Sequence, residues 1–357
     1  MSLRTSKKPP ANAVSTSPAI ALVPPASASG SVTLKDVARV AGVSPITVSR
    51  ALNRPEMVSP DKVELVQRAV KLTGYIPNQI AGALTGGRTR LVAAIVPHIA
   101  NSIFVETIQA MSDRLWQDGY QLLLGLSGYP ASREDELINA ILSRRPDGIV
   151  LTGIGHTQDT RLKLLSSRIP VVEIWDLTPT PLDMVIGFSH AGIGEAIASH
   201  LAGRGYRSYG LLCADDERSL IRQQSVADAL ARQGIGDVRT YVGTAPSTFQ
   251  LGREGLASLL ARKEKFEALV CGSDAIAQGT LAEAQSRGIA VPRDLAVMGF
   301  GDFDFSAHTF PSLSTVRIDK KAIGARAAEA LIASALGKPV EKKMIDVGFE
   351  LVQRQST

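Results

Sequence analysis

From Leu91 onward, short apolar runs alternate with amphipathic stretches, and few architectures accommodate that rhythm. The runs are Leu91–Val96, Gln121–Leu126, Gly148–Leu151, Val171–Trp175, Met184–Gly187, Tyr209–Ala214, Ala268–Gly272 and Leu295–Phe300. Continuous apolar runs of this length suit strands covered on both faces, and the segments between them are long enough for crossover helices. The pattern predicts βαβ units in mostly parallel sheets with helices on both faces. It also directs attention to the loops at the carboxyl ends of the strands, where such sheets bind ligands.

The segment before it, Val32–Asn53, is built differently. Thr33 precedes an apolar-periodic run with Asp36 three residues on, so hydroxyl and carboxylate can cap the first turn of a helix starting near Leu34. Gly42 breaks that helix, and Ser44-Pro45 opens another, serine as N-cap and proline where no N–H is missed. Val37, Ala38 and Ala41 share a face of the first helix, and Val48 and Leu52 a face of the second, which leaves Thr47, Ser49 and Arg50 polar. Two helices joined by a tight turn, the second offering short hydroxyls and an arginine near its start, suit base reading in a major groove. An ordinary amphipathic helix pair has the same spacing.

Charge separates the two regions. Residues 1–90 carry 12 Lys and Arg against 4 Asp and Glu, whereas residues 91–357 carry 27 against 30. The basic end is the expected nucleic-acid end, since Lys and Arg supply the salt-dependent part of DNA affinity. No run reaches the roughly 18 apolar residues of a membrane span, and Pro9, Pro10, Pro18, Pro24 and Pro25 interrupt any signal-peptide core, so a cytoplasmic location is expected. Cys213 and Cys271 lie inside apolar runs and read as reduced core thiols.

With Val58-Ser59-Pro60, a third helix over about 61–73 and Gly74-Tyr75-Ile76-Pro77-Asn78, the first segment is strongly similar to the headpiece of the lactose/galactose-repressor (LacI/GalR) family. The resemblance implies an all-α helix-turn-helix headpiece followed by an α/β core of two lobes like the periplasmic sugar-binding proteins. The expected division is a disordered tail at 1–30, headpiece at 31–76, hinge at 77–88 and effector-binding and dimerisation core at 89–357. Operator contacts are then expected from Thr33, Ser44, Pro45, Ile46, Thr47, Ser49, Arg50 and Asn53, and from Asn78, Ala81 and Leu84 of the hinge. Leu84 occupies the position of the leucine that wedges a central base step. Lobe crossings are expected near Phe188–His190, Thr315–Ile318 and Lys343–Asp346.

Asn101-Ser102-Ile103-Phe104, Thr152, Trp175-Asp176, Phe188, Arg222, Ser273-Asp274 and Gly301-Asp302 match the family's effector-pocket positions. Arg222 matches the arginine that holds effector oxygens. Where the family commonly has Asn and Asp, this chain has Ser273 and Gly301; losing a carboxylate while keeping an arginine favours an anionic ligand. The strings Val172-Glu173-Ile174-Trp175-Asp176, Asp216-Glu217-Arg218 and Asp346-Val347-Gly348-Phe349 resemble gluconate-utilisation repressors within the family. A homodimeric regulator on double-stranded operator DNA, controlled by a sugar acid such as gluconate or 2-ketogluconate, is therefore expected. A regulator of a neutral sugar or nucleoside is the alternative, and a sugar-transport binding protein a more distant one. Enzyme signatures are weak: the glycines at 153–155 and 192–194 do not make a dinucleotide fingerprint, and the histidines show no metal spacing, so neither cofactor nor metal is expected. No apolar heptads follow the last core run, which favours a dimer over a tetramer.

Overall fold

The structure, a computed structural model, describes residues 32–76, 88–100, 103–263 and 265–357. The chain divides into two compact units, Met1–Gly87 and Arg88–Thr357. In the first, α1 (Leu34–Ala41), α2 (Pro45–Asn53) and α3 (Pro60–Thr73) enclose Val37, Ala38, Val48, Ala51, Val66 and Ala69, with Tyr75 packed against them. Gly42 and Gly74 end α1 and α3 in the left-handed conformation (φ 66° in both), which glycine enters without a Cβ penalty. The start of α1 carries the expected capping box between Thr33 and Asp36. The Asp36 carboxylate accepts from both the backbone N–H and the hydroxyl of Thr33, at 3.0 and 2.7 Å.

The second unit holds two parallel sheets. In the first lobe β1 (Leu91–Val96), β2 (Gln121–Leu126), β3 (Gly148–Thr152), β4 (Val171–Ile174), β5 (Met184–Gly187) and a late strand β11 (Met344–Asp346) are ordered β11-β5-β4-β3-β1-β2. Alternate residues of β1 point to opposite layers. Val92, Ala94 and Val96 pack with Met111 and Leu115 of α4 (Val105–Gln117) and with Ala327, Ala328 and Leu331 of α11 (Lys320–Ala335). Ala93 and Ile95 pack with Ile138 and Ile141 of α5 (Ala131–Leu142) and Leu164 of α6 (Gln158–Ser167). Each fully buried aliphatic side chain contributes roughly 1.5–3 kcal/mol, which is why two-sided burial demands unbroken apolar strands.

In the second lobe β6 (Tyr209–Ala214), β7 (Val238–Gly243), β8 (Ala268–Cys271) and β9 (Ala296–Met298) are ordered β7-β6-β8-β9. One face lies under α7 (His190–Gly203) and α8 (Glu217–Arg232), the other under α9 (Phe249–Ala261) and α10 (Asp274–Ser286). Cys213 and Cys271 are buried free thiols.

Two expectations need correction. Lys343–Asp346 is not a lobe crossing: Met344, Ile345 and Asp346 pair with Val185, Ile186 and Gly187 and complete the first-lobe sheet. The chain returns only after that strand, where β12 (Glu350–Val352) pairs antiparallel with β10 (Thr315–Arg317). Strand β7 was not anticipated, because as an edge strand it is half exposed and lacks a continuous apolar run.

Candidate functional site

On α2 the buried positions are Val48 and Ala51, and Ile46, Ser49, Arg50 and Asn53 follow one another at helical spacing on the opposite side. Ile46 is 65% exposed, Arg50 and Asn53 are exposed, and Ser49 and Thr47 are half-buried. Ser44 caps the helix by accepting from the Thr47 N–H at 3.2 Å, and its hydroxyl meets the Thr47 hydroxyl at 2.8 Å. Pro45 occupies the first turn. An exposed face with an isoleucine, hydroxyls, an amide and an arginine can make apolar, base-edge and phosphate contacts together. Thr33 stands apart, its hydroxyl committed to Asp36. Asn78, Ala81, Leu84, Asn101 and Ser102 lie outside the described residues.

A second site lies in the core, at the strand ends where an α/β sheet binds ligands. Its empty space, counted together with the open solvent at its mouth, comes to about 540 Å³. Phe104, Trp175, Arg222 and Ser273 line it, joined by His98, Tyr129, His190, Asp216, Arg218 and Phe300. Arg222 enters from α8 and is 8% exposed. Its guanidinium donates to Ser219 Oγ (3.1 Å), the Gly272 carbonyl (3.0 Å) and His190 Nδ1 (3.3 Å), and lies 3.9 Å from the Phe300 ring centre. Its Nε–H has no partner among the described residues. Burial lowers its pKa to about 10, so it stays cationic at neutral pH.

His190 fixes the neighbouring geometry. Its Nε2–H donates to the Trp175 carbonyl at 3.0 Å, leaving Nδ1 to accept from Arg222. Burial, with Arg222 next, drives its pKa down to about 2, so the ring is neutral. Arg218 reaches the Thr152 carbonyl at 3.3 Å and lies 5.5 Å from the Phe104 ring centre. On the first-lobe side the Tyr129 hydroxyl meets His98 Nδ1 at 3.1 Å. Burial pushes the Tyr129 pKa up and that of His98 down, which keeps both neutral.

Four expected positions are placed away from the cleft lining. Thr152 donates its hydroxyl to the Ile95 carbonyl (2.9 Å), and Phe188 is wholly buried behind Trp175 and His190. Asp274 is also wholly buried, accepting from Phe303 N–H (3.0 Å), Ser306 Oγ (2.6 Å) and Thr315 Oγ1 (2.6 Å). It anchors the segment that follows β9. Asp302 pairs with Arg317 and Arg354, each at 2.7 Å. The contributions of His98, Tyr129 and Arg218 were not foreseen; their one signal is a position within a few residues of a strand end.

Residues 33–78 match the family model described as bacterial regulatory proteins of the lacI family, and residues 198–357 match a periplasmic binding protein-like domain. The HTH-type transcriptional regulator GntR of Pseudomonas aeruginosa is 39% identical over 330 residues, covering 92% of this chain and 96% of that protein. The chain belongs to the LacI family. Among solved structures, a LacI-family regulator from Silicibacter pomeroyi superposes with a TM-score of 0.86 at 30% identity, over 91% of this chain and 99% of that one. The regulator GntR from Chromobacterium violaceum gives 0.72 at 36% identity, over 74% and 98%. As a LacI-family member the chain is a DNA-binding transcriptional regulator and not an enzyme. No helix among the described residues is long and apolar enough to cross a membrane.

Proposed function

We propose that this LacI-family regulator represses from a nearly palindromic operator as a homodimer and is controlled by a six-carbon sugar acid such as gluconate or 2-ketogluconate. The observation that carries the ligand class is Arg222: a buried guanidinium with an unpartnered N–H in a cleft at the strand ends, and no carboxylate within 4 Å of it among the described residues. Asp216 and Asp176 act on this charge only from a distance, and an anionic ligand supplies the direct charge-assisted hydrogen bonds that no carboxylate among the described residues makes to it. Gly301 adds to this. Its φ of +124° belongs to glycine, so the aspartate usual in the family at that position would be strained here and its charge is absent. The likeness to regulators named GntR supports the same class.

The exposed face of α2 would read the major groove, with Leu84 wedging the operator's central step. Calorimetry of the full chain against aldonic acids, 2-ketoaldonic acids and neutral hexoses tests the ligand class, with Arg222→Ala as the matched variant. Acids should bind and the variant should lose them by tenfold or more, since hydrogen bonds to charged groups contribute about 1.5–3 kcal/mol. Binding of neutral hexoses alone would refute the reading.

A further inference from the structure

The cleft is chemically lopsided. Two side chains lining it carry a buried polar atom without a partner among the described residues, and both atoms are donors, the indole Nε1–H of Trp175 and the Nε–H of Arg222. Neither group has a lone pair to offer. Three acceptors beside them are engaged, the Gly272 carbonyl and His190 Nδ1 by Arg222 and the Trp175 carbonyl by His190 Nε2, and the Asp216 carboxylate, which also lines the cleft, accepts from the Ser219 N–H at 3.1 Å. Trp175 is held there under strain. Its φ of 71° is left-handed, a conformation strained for a bulky residue that persists only where the surroundings enforce it. The rings of Phe104 and Phe188 stand edge-on to it at 5.2 and 5.6 Å.

The opposite end is mixed. The Tyr129 hydroxyl and the neutral His98 ring both donate and accept, and they meet at 3.1 Å. A row of rings joins the two ends, Tyr129 to His98 at 5.6 Å, His98 to Phe104 at 6.2 Å and Phe104 to Trp175 at 5.2 Å. Hydroxyls are satisfied where donors and acceptors mix, whereas an oxygen that only accepts gains most beside the two unpartnered N–H groups.

We propose that the cleft takes its effector in one polarity, the acid group against the Trp175 indole N–H and the Arg222 guanidinium, the hydroxyl-bearing chain running past Phe104 toward Tyr129 and His98. This rests on the sugar-acid reading and makes Trp175 a specificity-determining hydrogen-bond donor, not merely an apolar wall. It favours acids over the corresponding polyols, because a primary alcohol replacing the carboxylate takes the anionic acceptor out of both bonds.

Calorimetry on the full chain, with gluconate, 6-deoxygluconate and glucitol as probes, tests the orientation in wild type, Trp175→Phe and Tyr129→Phe. Phenylalanine at 175 keeps a ring and removes the N–H. The expected result is that Trp175→Phe weakens gluconate and 6-deoxygluconate by the same factor, roughly tenfold, the worth of one such bond. Tyr129→Phe should weaken gluconate several-fold and leave 6-deoxygluconate unchanged, and glucitol should bind wild type weakly and ignore Trp175→Phe. If 6-deoxygluconate ignores Trp175→Phe, or Tyr129→Phe weakens both acids equally, the polarity is wrong. If no acid binds wild type, the sugar-acid reading itself falls and takes the polarity with it.

A measurement independent of the Trp175 variant uses the indole N–H resonance in a Trp116→Phe background, Trp116 being 70% exposed. Both acids should shift the Trp175 signal downfield. A resonance unmoved at saturating gluconate refutes the contact.

Discussion

Helices α4 and α11 cross at Gly324, and this contact allows a sharp quantitative test. A Cβ built on Gly324 would lie 2.1 Å from the Thr107 carbonyl oxygen and 3.0 Å from the Met111 nitrogen. Both are backbone atoms of α4, so no rotamer change relieves the overlap and the helices must part by more than 1 Å on the order of ordinary van der Waals spacing. Parting them also strains the bond from the Thr107 hydroxyl to the Lys320 carbonyl, 2.9 Å. Gly203, at the end of α7, is the control, since a Cβ there meets nothing within 4 Å and its φ is not positive. Alanine gains about 1 kcal/mol of helix propensity over glycine at an interior position. Gly203→Ala should therefore be neutral or stabilising by up to about 1 kcal/mol. Gly324→Ala sets the same gain against overpacking of about 1–3 kcal/mol or more, and because the clash is with backbone the upper end applies, a net loss of about 2 kcal/mol. Urea unfolding of both variants measures the difference. Because Thr107 follows closely on Phe104, Gly324→Ala should also weaken effector binding. A Gly324→Ala protein as stable as wild type would show that the helices do not approach as described.

On α2, Arg50→Ala should weaken specific operator binding by about 1–3 kcal/mol if the guanidinium contacts a base, and Thr47→Ala by less, with core melting unchanged; fluorescence anisotropy on labelled duplex reads both. Gly301→Asp should destabilise the core, because φ of +124° is strained for any side chain and the Cβ would lie 2.8 Å from Ile103 Cδ1. His190 imposes a pH dependence. Its folded pKa of about 2 lies far below the ordinary 6.5, so the unfolded chain takes up the proton first. Stability from this group is complete above its unfolded pKa and falls as pH drops below it, by up to about 1.4 kcal/mol per pH unit. The stability gap between wild type and His190→Gln should shrink accordingly, and a gap constant from neutral pH to about pH 5 would contradict neutral burial.

The fold was legible where physics writes it continuously into the chain. Strands such as Val92–Val96 and Ile149–Leu151 are buried on both faces, so their apolar runs are unbroken. Val238–Gly243 shows one face to solvent at a sheet edge, and β10 to β12 are three residues each, too short for any period to register. In the site, strand-end position and the family resemblance pointed to Phe104, Trp175 and Ser273, and the resemblance alone to Arg222; all four line the cleft. Position alone does not set direction. Asp274, adjacent to Ser273, turns inward because three donors of the Phe303–Thr315 segment converge on its carboxylate. Asp302 turns to Arg317 and Arg354, partners 15 and 52 residues along the chain. Such long-range pairings leave no local pattern, and the same holds for the meeting of Tyr129 with His98 across 31 residues.

Sugar-acid control is tested most directly by linkage, using the full chain and an operator selected from a random duplex pool. Operator affinity is measured with and without gluconate or 2-ketogluconate, and acid affinity with and without operator. The expectation is a shift of about 5–150-fold in operator affinity, matched by an equal shift in acid affinity, and abolished in Arg222→Ala. Operator affinity that is indifferent to both acids at saturation, or that responds to neutral hexoses instead, would contradict it.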